Sequence, residues 1–340
     1  LKLRLSVLDQ SNAVSGRPED ESIRETLALA RHCEALGYAR FWVSEHHNHP
    51  SILGTAPEIL IAAIAATTQR IRVGSAGVML PHYSAFHVAE QFRVLEAIAP
   101  GRIDLGLGRA PGGDAPAAFA LNPRADTAAD YFPSQVRDLL AWVSGGSLPD
   151  GHPFRDVVAY PRSPTTPETW ILGSSTYGAQ VGAYFGLPYC FAWFFSDGRG
   201  AAQALDIYRR EYRPSARHPA PHPAICVWAL AAETREEAER LFLPRALWRV
   251  LRDRNVLVPL PTPEEAAAFD LAGVERAKVE RMRERAFIGT GAEVAERLEA
   301  LARELAVEEL VVVTWAHDAE ARRRSYSLIA EAFGLAPEKS

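Results

Sequence analysis

Apolar and polar positions alternate between two periods along this chain. Residues 3–8 form a short β-rich run. Residues 22–36 then place Ile23, Leu27, Ala30 and Leu36 on one helical face. Gly37 is the predicted stop of that helix, because glycine takes the left-handed conformation at little cost. The alternation continues with strands at 41–43, 71–80 and 102–107, separated by helices at 59–68 and 84–99. The helix at 59–68 is apolar nearly all round and is expected to be well buried. Residues 126–143 predict a helix bent or restarted near Pro133. Residues 169–172, 189–195, 224–230 and 309–314 supply four more strands, with helical patterns at 179–185 and 319–333. Thr55 with Glu58, and Thr290 with Glu293, have the spacing of capping boxes that open the second helix and the seventh.

Eight strands, each followed by a helix, predict an α/β fold: a (β/α)8 TIM barrel with a helical insertion between strand 7 and strand 8. The last connection is far longer than one helix and its loops require. Residues 233–288, charged and mostly helical, are therefore read as an insertion after strand seven and a candidate lid on a single domain covering 1–340. A doubly wound open sheet is the alternative. The strand count and the absence of G-x-G-x-x-G after the first strand disfavour it.

Composition narrows the class. Hydrophobic residues make up 48% of the 340 positions, enough for a large core and contrary to general disorder. Lys and Arg number 37 against 42 Asp and Glu, with no block of like charge, which argues against nucleic acid as a partner. Cys33, Cys190 and Cys226 lie far apart in apolar runs and have the character of small core residues in a reducing compartment. No uninterrupted apolar stretch is long enough to span a bilayer, and no apolar signal core follows the first residues. The missing initiator Met points to a trimmed or tagged chain, and a soluble cytoplasmic protein is expected.

In a barrel the residues just past each strand form the active face. After the first strand stand Asp9, Gln10 and Ser11; after the second, SEHHNHP (residues 44–50). Three histidines and a carboxylate in five residues raise the question of a metal. Catalytic zinc draws ligands from different elements, and H-E-x-x-H on a helix is absent, so zinc is the weaker reading. His47 and His49 fit solvated loop positions. The third strand contains Gly74 to Gly77, where glycine marks either tight packing or the close approach of a flat ligand. Gly108 and Arg109 follow the fourth strand, and Gly173, Ser174, Ser175 and Thr176 follow the fifth just before a helix. Small residues with exposed N–H groups and hydroxyls, together with an arginine fork, suit a phosphorylated cofactor. Trp193, Phe194, Phe195 and Met79 are candidates for a substrate wall, and Trp315 and His317 follow the last strand.

At these residues the chain resembles the bacterial luciferase-like flavin-dependent monooxygenase family. The resemblance is carried by RFWVSEHHN (40–48), RIRVGSAGVMLPHYSAFHVAEQF (70–92), GRIDLGLGRAPGGD (101–114), the WILGSS run with the following GLP (170–188), and the closing VVVTW. The opening LSVLDQS and the full GRIDLGLGRAPG are similar to the branch of LLM-class flavin oxidoreductases of the MsnO8 type. The resemblance implies a monooxygenase that uses reduced FMN and O2 to oxygenate a small organic substrate, with FMNH2 supplied by a separate flavin reductase. Arg109, Ser174 and Ser175 would hold the flavin phosphate. Gly178 stands where some relatives have a threonine. Ala76 and Gly77 lie where relatives carry an unusual backbone step, often a cis peptide, against the flavin ring. His46 matches the active-site histidine, as general acid/base or polarising group; no metal is implied. Gly108 replaces the cysteine that luciferases place beside the flavin, which points away from light emission. A homodimer through the second and third helices is expected. Two rivals stand beside this reading. One is an F420-dependent oxidoreductase on the same barrel, for which Arg109, His82 and Arg162 are the only basic residues near the mouth. The other is a non-catalytic flavin-binding protein.

Overall fold

The computed structural model describes residues 3–336. In chain order its elements are β1 (Arg4–Asp9), α1 (Glu19–Leu36), β2 (Arg40–Val43), α2 (Pro57–Thr67), β3 (Arg72–Met79), α3 (Ala85–Ile98), β4 (Ile103–Gly108), α4 (Ala115–Leu121), α5 (Ala125–Ala128) and α6 (Phe132–Ser144). There follow β5 (Glu168–Gly173), α7 (Thr176–Phe185), β6 (Tyr189–Ala192), α8 (Trp193–Ser196), α9 (Ala201–Glu211), β7 (Pro223–Ala231), α10 (Arg235–Asp253), α11 (Pro263–Ala268), α12 (Gly273–Arg285), β8 (Phe287–Gly289), α13 (Gly291–Glu304), β9 (Glu309–Val313) and α14 (Ala319–Ala332).

The strands pair in parallel from β1 through β7, β7 pairs with β9, and β9 pairs with β1, so eight strands close into a barrel. The expected (β/α)8 architecture is present. Alternation along each strand builds two cores. Val7, Phe41, Val43, Val73 and Leu105 face outward to the helices, whereas Leu8, Trp42, Trp170, Cys190 and Cys226 belong to the interior cluster. Every residue of β7 is buried, as a strand covered on both faces requires.

The barrel floor is ionic. Arg40 Nη1 donates to both Asp104 oxygens at 2.9 Å and to Glu168 at 2.6 Å, and its Nε donates to Glu309 at 2.9 Å. Trp42 and Ser6 supply further donors to Asp104 and Glu309. Burial alone would raise the Glu168 and Glu309 carboxyls, but the Arg40 cation beside them holds both down to about 2. No sequence motif announced this network, because its members lie one per strand.

Several sequence expectations are corrected. The sixth strand ends at Ala192, and residues 193–196 form a helical turn instead of its continuation. Aromatic runs favour strands only where the surface is pleated; here Trp193 turns back over Gly198. Helix α2 begins at Pro57 with Ala56 as N-cap and no side-chain cap, so the Thr55–Glu58 box does not form. Proline at the first helical position forces the preceding residue to be extended, which moves the cap past Thr55. The Thr290–Glu293 box does form. Helix α2 is also one-sided: Leu60, Ile61 and Ile64 are buried but Ile59 is 66% exposed. The long segment after β7 carries α10, α11 and α12, and it ends in a short strand, β8, that pairs with residues 229–231. Helices α4 and α9 have no counterpart in the predicted elements. Residues 1, 2 and 337–340 of the expected single domain lie outside the described residues. Among the described residues no helix is long and apolar enough to cross a membrane.

Candidate active site

The C-terminal mouth of the barrel opens on a cavity of about 370 Å³. His46, Ala76, Gly77, Gly108, Arg109, Ser174 and Ser175, singled out at four different strand ends, all line it. Its base is apolar, from Leu8, Trp42, Ile171, Leu172, Cys190 and Cys226.

The histidines after β2 do not converge. His46 is held by its backbone N–H on Gly54 and by Nδ1 against the Ser44 hydroxyl at 3.2 Å. His47 turns away to Glu45 at 2.7 Å, and His49 Nδ1 accepts from the Ser51 N–H. Alternation at the strand end sends neighbours in opposite directions. Glu45 is fully buried; besides His47 it accepts from the Tyr83 hydroxyl at 2.7 Å and the Met79 N–H at 2.9 Å. It therefore fixes the end of β3 beside the cavity. The His47 N–H donates to Gly112, and Asn48 donates to Asp114, so the SEHHNHP loop docks on the GRAPGGD loop. Burial, helped by His49 and His47, pushes the His46 imidazole down to about 4. The ring is neutral near pH 7, so the proton chemistry its sequence position predicts starts from a neutral donor and acceptor.

The glycine-rich β3 and β4 form one wall. Register slips between Ser75 and Val78, and the Ser75 hydroxyl bridges the Gly106 N–H and carbonyl at 3.0 and 2.9 Å. The Ala76–Gly77 peptide is cis. A Cβ on Gly77 would lie 2.7 Å from the Gly106 oxygen, and one on Gly74 would lie 2.4 Å from the Asp104 oxygen. Tight strand packing thus requires these glycines, and the same backbone leaves Ala76 and Gly77 as a wall with little side chain.

The opposite rim is the β5–α7 turn. Ser174 and Ser175 are exposed, and Ser175 is the N-cap of α7 without a side-chain cap bond, so the first-turn N–H groups have no side-chain partner there. Arg109 lies flat over the Tyr177 ring, 4.1 Å from its centroid. The two loops predicted to meet at a phosphate are brought together. Gly178 lines the cavity as well; a Cβ there would come within 3.3 Å of Tyr189, which fits glycine where some relatives have threonine.

Other expectations divide. Met79, Phe194 and Phe195 line the cavity, whereas Trp193 packs toward the outer core. His82 is buried and bonded to the Pro111 carbonyl, and Arg162 lies by Tyr160, so neither lines it. Sequence reasoning missed a second space of about 40 Å³ that shares the walls Gln10, Phe194 and Phe195 and is closed by Trp228, Trp248, Trp315 and three arginines of α10, Arg245, Arg249 and Arg252. Their i, i+4, i+7 spacing on one helix is the available signal, which a charged helical insertion hides among its other arginines.

A parallel barrel with an apolar cavity and a few convergent polar groups at its C-terminal mouth is the architecture of a small-molecule enzyme. The chain belongs to the luciferase-like monooxygenase family, whose sequence profile matches residues 4–309; it is a family of oxidoreductases. It is 43% identical to the uncharacterized protein YwcH of Bacillus subtilis (strain 168) over 97% of this chain and 98% of that one. It is 35% identical to the N-acetyl-S-alkylcysteine monooxygenase of the same organism, over 97% and 98% respectively. The crystal structure of apo-MsnO8 superposes with a TM-score of 0.90 at 38% identity, covering 99% of this chain and all of that one (100%).

Proposed function

We propose that this chain binds reduced FMN in the large cavity and, with O2, oxygenates a small organic substrate. One observation carries the reading: the residues drawn from four separate strand ends line a single cavity whose apolar base and polar rim match the two halves of such a cofactor. The residues fit the group. Ser174, Ser175 and the uncapped first turn of α7 offer donors to a phosphate, and Arg109, held on Tyr177, offers a guanidinium fork. Ala76, Gly77 and Gly108 present backbone with little side chain to a flat ring. When bound, the flavin supplies the redox chemistry.

The chain's own residues bind, orient and exclude water. His46, neutral and tethered to Ser44, holds or moves a proton at its imidazole beside the ring site. Met79, Phe194 and Phe195 keep the space above the base apolar. Helix α10, which walls the adjoining small space and is tied to the turn after β6 by Arg249 and Asp197, serves as a lid. Arg109 is the only cation on the large cavity among the described residues, which favours FMN over the longer, more acidic tail of F420. A separate flavin reductase supplies FMNH2. The relative that acts on N-acetyl-S-alkylcysteines supports a small organic substrate. Exposed Ile59, Val94 and Ile98 on α2 and α3 support a homodimer through those helices.

The test is to supply FMNH2 from a reductase under ¹⁸O2, screen small organic substrates, and look for label in the product by mass spectrometry. Labelled product lost in His46→Ala supports the reading. Tight stoichiometric flavin with no product from any substrate indicates a flavin carrier, and substrate-dependent F420 turnover without O2 indicates hydride transfer.

A further inference from the structure

The small space beside the large cavity is rich in donors and short of acceptors. Arg245, on α10, is 7% exposed and lines it. Among the described residues its guanidinium has no hydrogen-bond or ion-pair partner; it stacks on Trp228, 4.3 Å from the ring centroid. The acidic group nearest to hand, Asp197, is committed to Arg249 through both oxygens. Asp253 is shared between Arg252 and Lys278 at the outer end of the helix. Among the described residues the buried Trp228 Nε1–H has no partner, whereas Trp315 donates to Gln10 and Trp248 to Ser51. Gln10 accepts from Trp315 through its carbonyl oxygen, and among the described residues its amide nitrogen has no acceptor.

A buried cation without a counter-charge is unfavourable, and an adjacent cation makes it more so. Burial first, then Arg249, pushes the Arg245 guanidinium well below its ordinary range; Asp197, paired to Arg249, offsets only part of this, and Arg252 adds to it. The donor set asks for an oxyanion, and a guanidinium fork suits a planar carboxylate or a sulfonate. The walls decide where the rest of such a molecule goes. Gln10, Phe194 and Phe195 belong to both spaces, so an apolar body attached to an anion at Arg245 extends past the two phenylalanines toward His46 and the cavity base.

We propose that Arg245 is the specificity-determining residue of this barrel: it pairs with the carboxylate or sulfonate head of an anionic organic substrate, with the Trp228 N–H as a second donor. The proposal rests on the reading of the large cavity as the cofactor site, since that reserves the adjoining space for substrate. Arg249 and Asp197 have a separate task, which is to hold α10 where Arg245 reaches the site.

The experiment is equilibrium binding of hexanoate, hexanesulfonate and hexanol to the whole chain, read by tryptophan fluorescence and calorimetry, with anaerobic FMNH2 affinity measured on the same preparations. Both anions are expected to bind about ten- to a hundredfold more tightly than hexanol. Arg245→Met removes that gap without changing FMNH2 affinity, and Arg245→Lys keeps part of it. Hexanoate ahead of hexanesulfonate assigns a carboxylate substrate; the reverse assigns a sulfonate. Equal binding of all three by the parent chain, no binding of either anion at millimolar concentration, or a preference that survives Arg245→Met overturns the proposal. The parent comparison needs no variant to fold. An Arg245-dependent preference in a chain that fails to bind FMNH2 under anaerobic conditions keeps the anion site and discards the cofactor reading.

Discussion

Arg249 donates to both carboxylate oxygens of Asp197, at 2.8 and 3.0 Å, and so ties α10 to the turn that follows β6. Asp197 adopts a left-handed backbone at the end of α8, a conformation that short polar residues tolerate better than most. The pair joins two segments that the chain separates by the whole of β7. It also places a carboxylate among Arg245, Arg249 and Arg252, whose mutual repulsion it offsets.

Asp197→Ala is therefore expected to cost about 1–3 kcal/mol, less than a fully buried pair because Asp197 is partly exposed. The loss should be localised. Hydrogen exchange over residues 235–253 is predicted to speed up while the barrel strands keep their protection. Uniform protection loss, or none, would contradict the latch.

His46 carries a second prediction. Its folded-state value of about 4 lies below the ordinary imidazole value of 6.5, with burial as the main cause. Protonation then favours the unfolded chain, so the stability His46 contributes is whole above about pH 6.5 and is lost as pH falls toward 4. Proton NMR of the ligand-free chain, with His46→Asn for assignment, should give a titration midpoint near 4. A midpoint near 6.5 would return the ring to a protonated role at neutral pH.

Acid sensitivity from the barrel floor has the same direction and a lower window. Glu168 and Glu309 are held down to about 2, so their contribution is present above about 4.5 and lost as pH falls toward 2. Arg40→Met removes the cation they share and leaves Asp104 and Glu168 to Arg72 alone and Glu309 to Arg4 and His222, at a cost of about 3 kcal/mol. Denaturant unfolding at pH 7 and pH 4 measures both effects. The variant should lose most of its deficit at the lower pH, where the freed carboxyls protonate.

How much of this was legible in the sequence follows from the range of each interaction. Periodicity located the eight barrel strands because each is a local pattern. Quoted motifs located His46, Arg109 and Ser174–Ser175 because strand ends in a barrel necessarily meet at one face. The floor network and Arg245 were not legible. Arg40, Asp104, Glu168 and Glu309 come from four strands, and their registers decide the contact. Arg245 differs from its helix neighbours only in lacking a partner, which composition does not record. The misplaced end of β6 and the unformed Thr55 box are local misreadings, in which packing and one proline overrode propensity.

The outer face of α2 and α3 predicts self-association. Ile59 is 66% exposed, Ile98 50% and Val94 47%, on adjacent helices left uncovered by the described residues. Ile59→Glu should shift a dimer to monomer in sedimentation at micromolar concentration without lowering the melting temperature of the monomer. A parent chain that sediments as a monomer would contradict the assignment.

The central claim is the cofactor in the large cavity, and the most direct measurement is anaerobic equilibrium binding of FMNH2 and reduced F420 to the parent and to Arg109→Ala. FMNH2 is expected to bind more tightly than F420, and the substitution to weaken it about ten- to a hundredfold by removing a charged contact to the phosphate. No FMNH2 binding, or binding indifferent to Arg109, would contradict it.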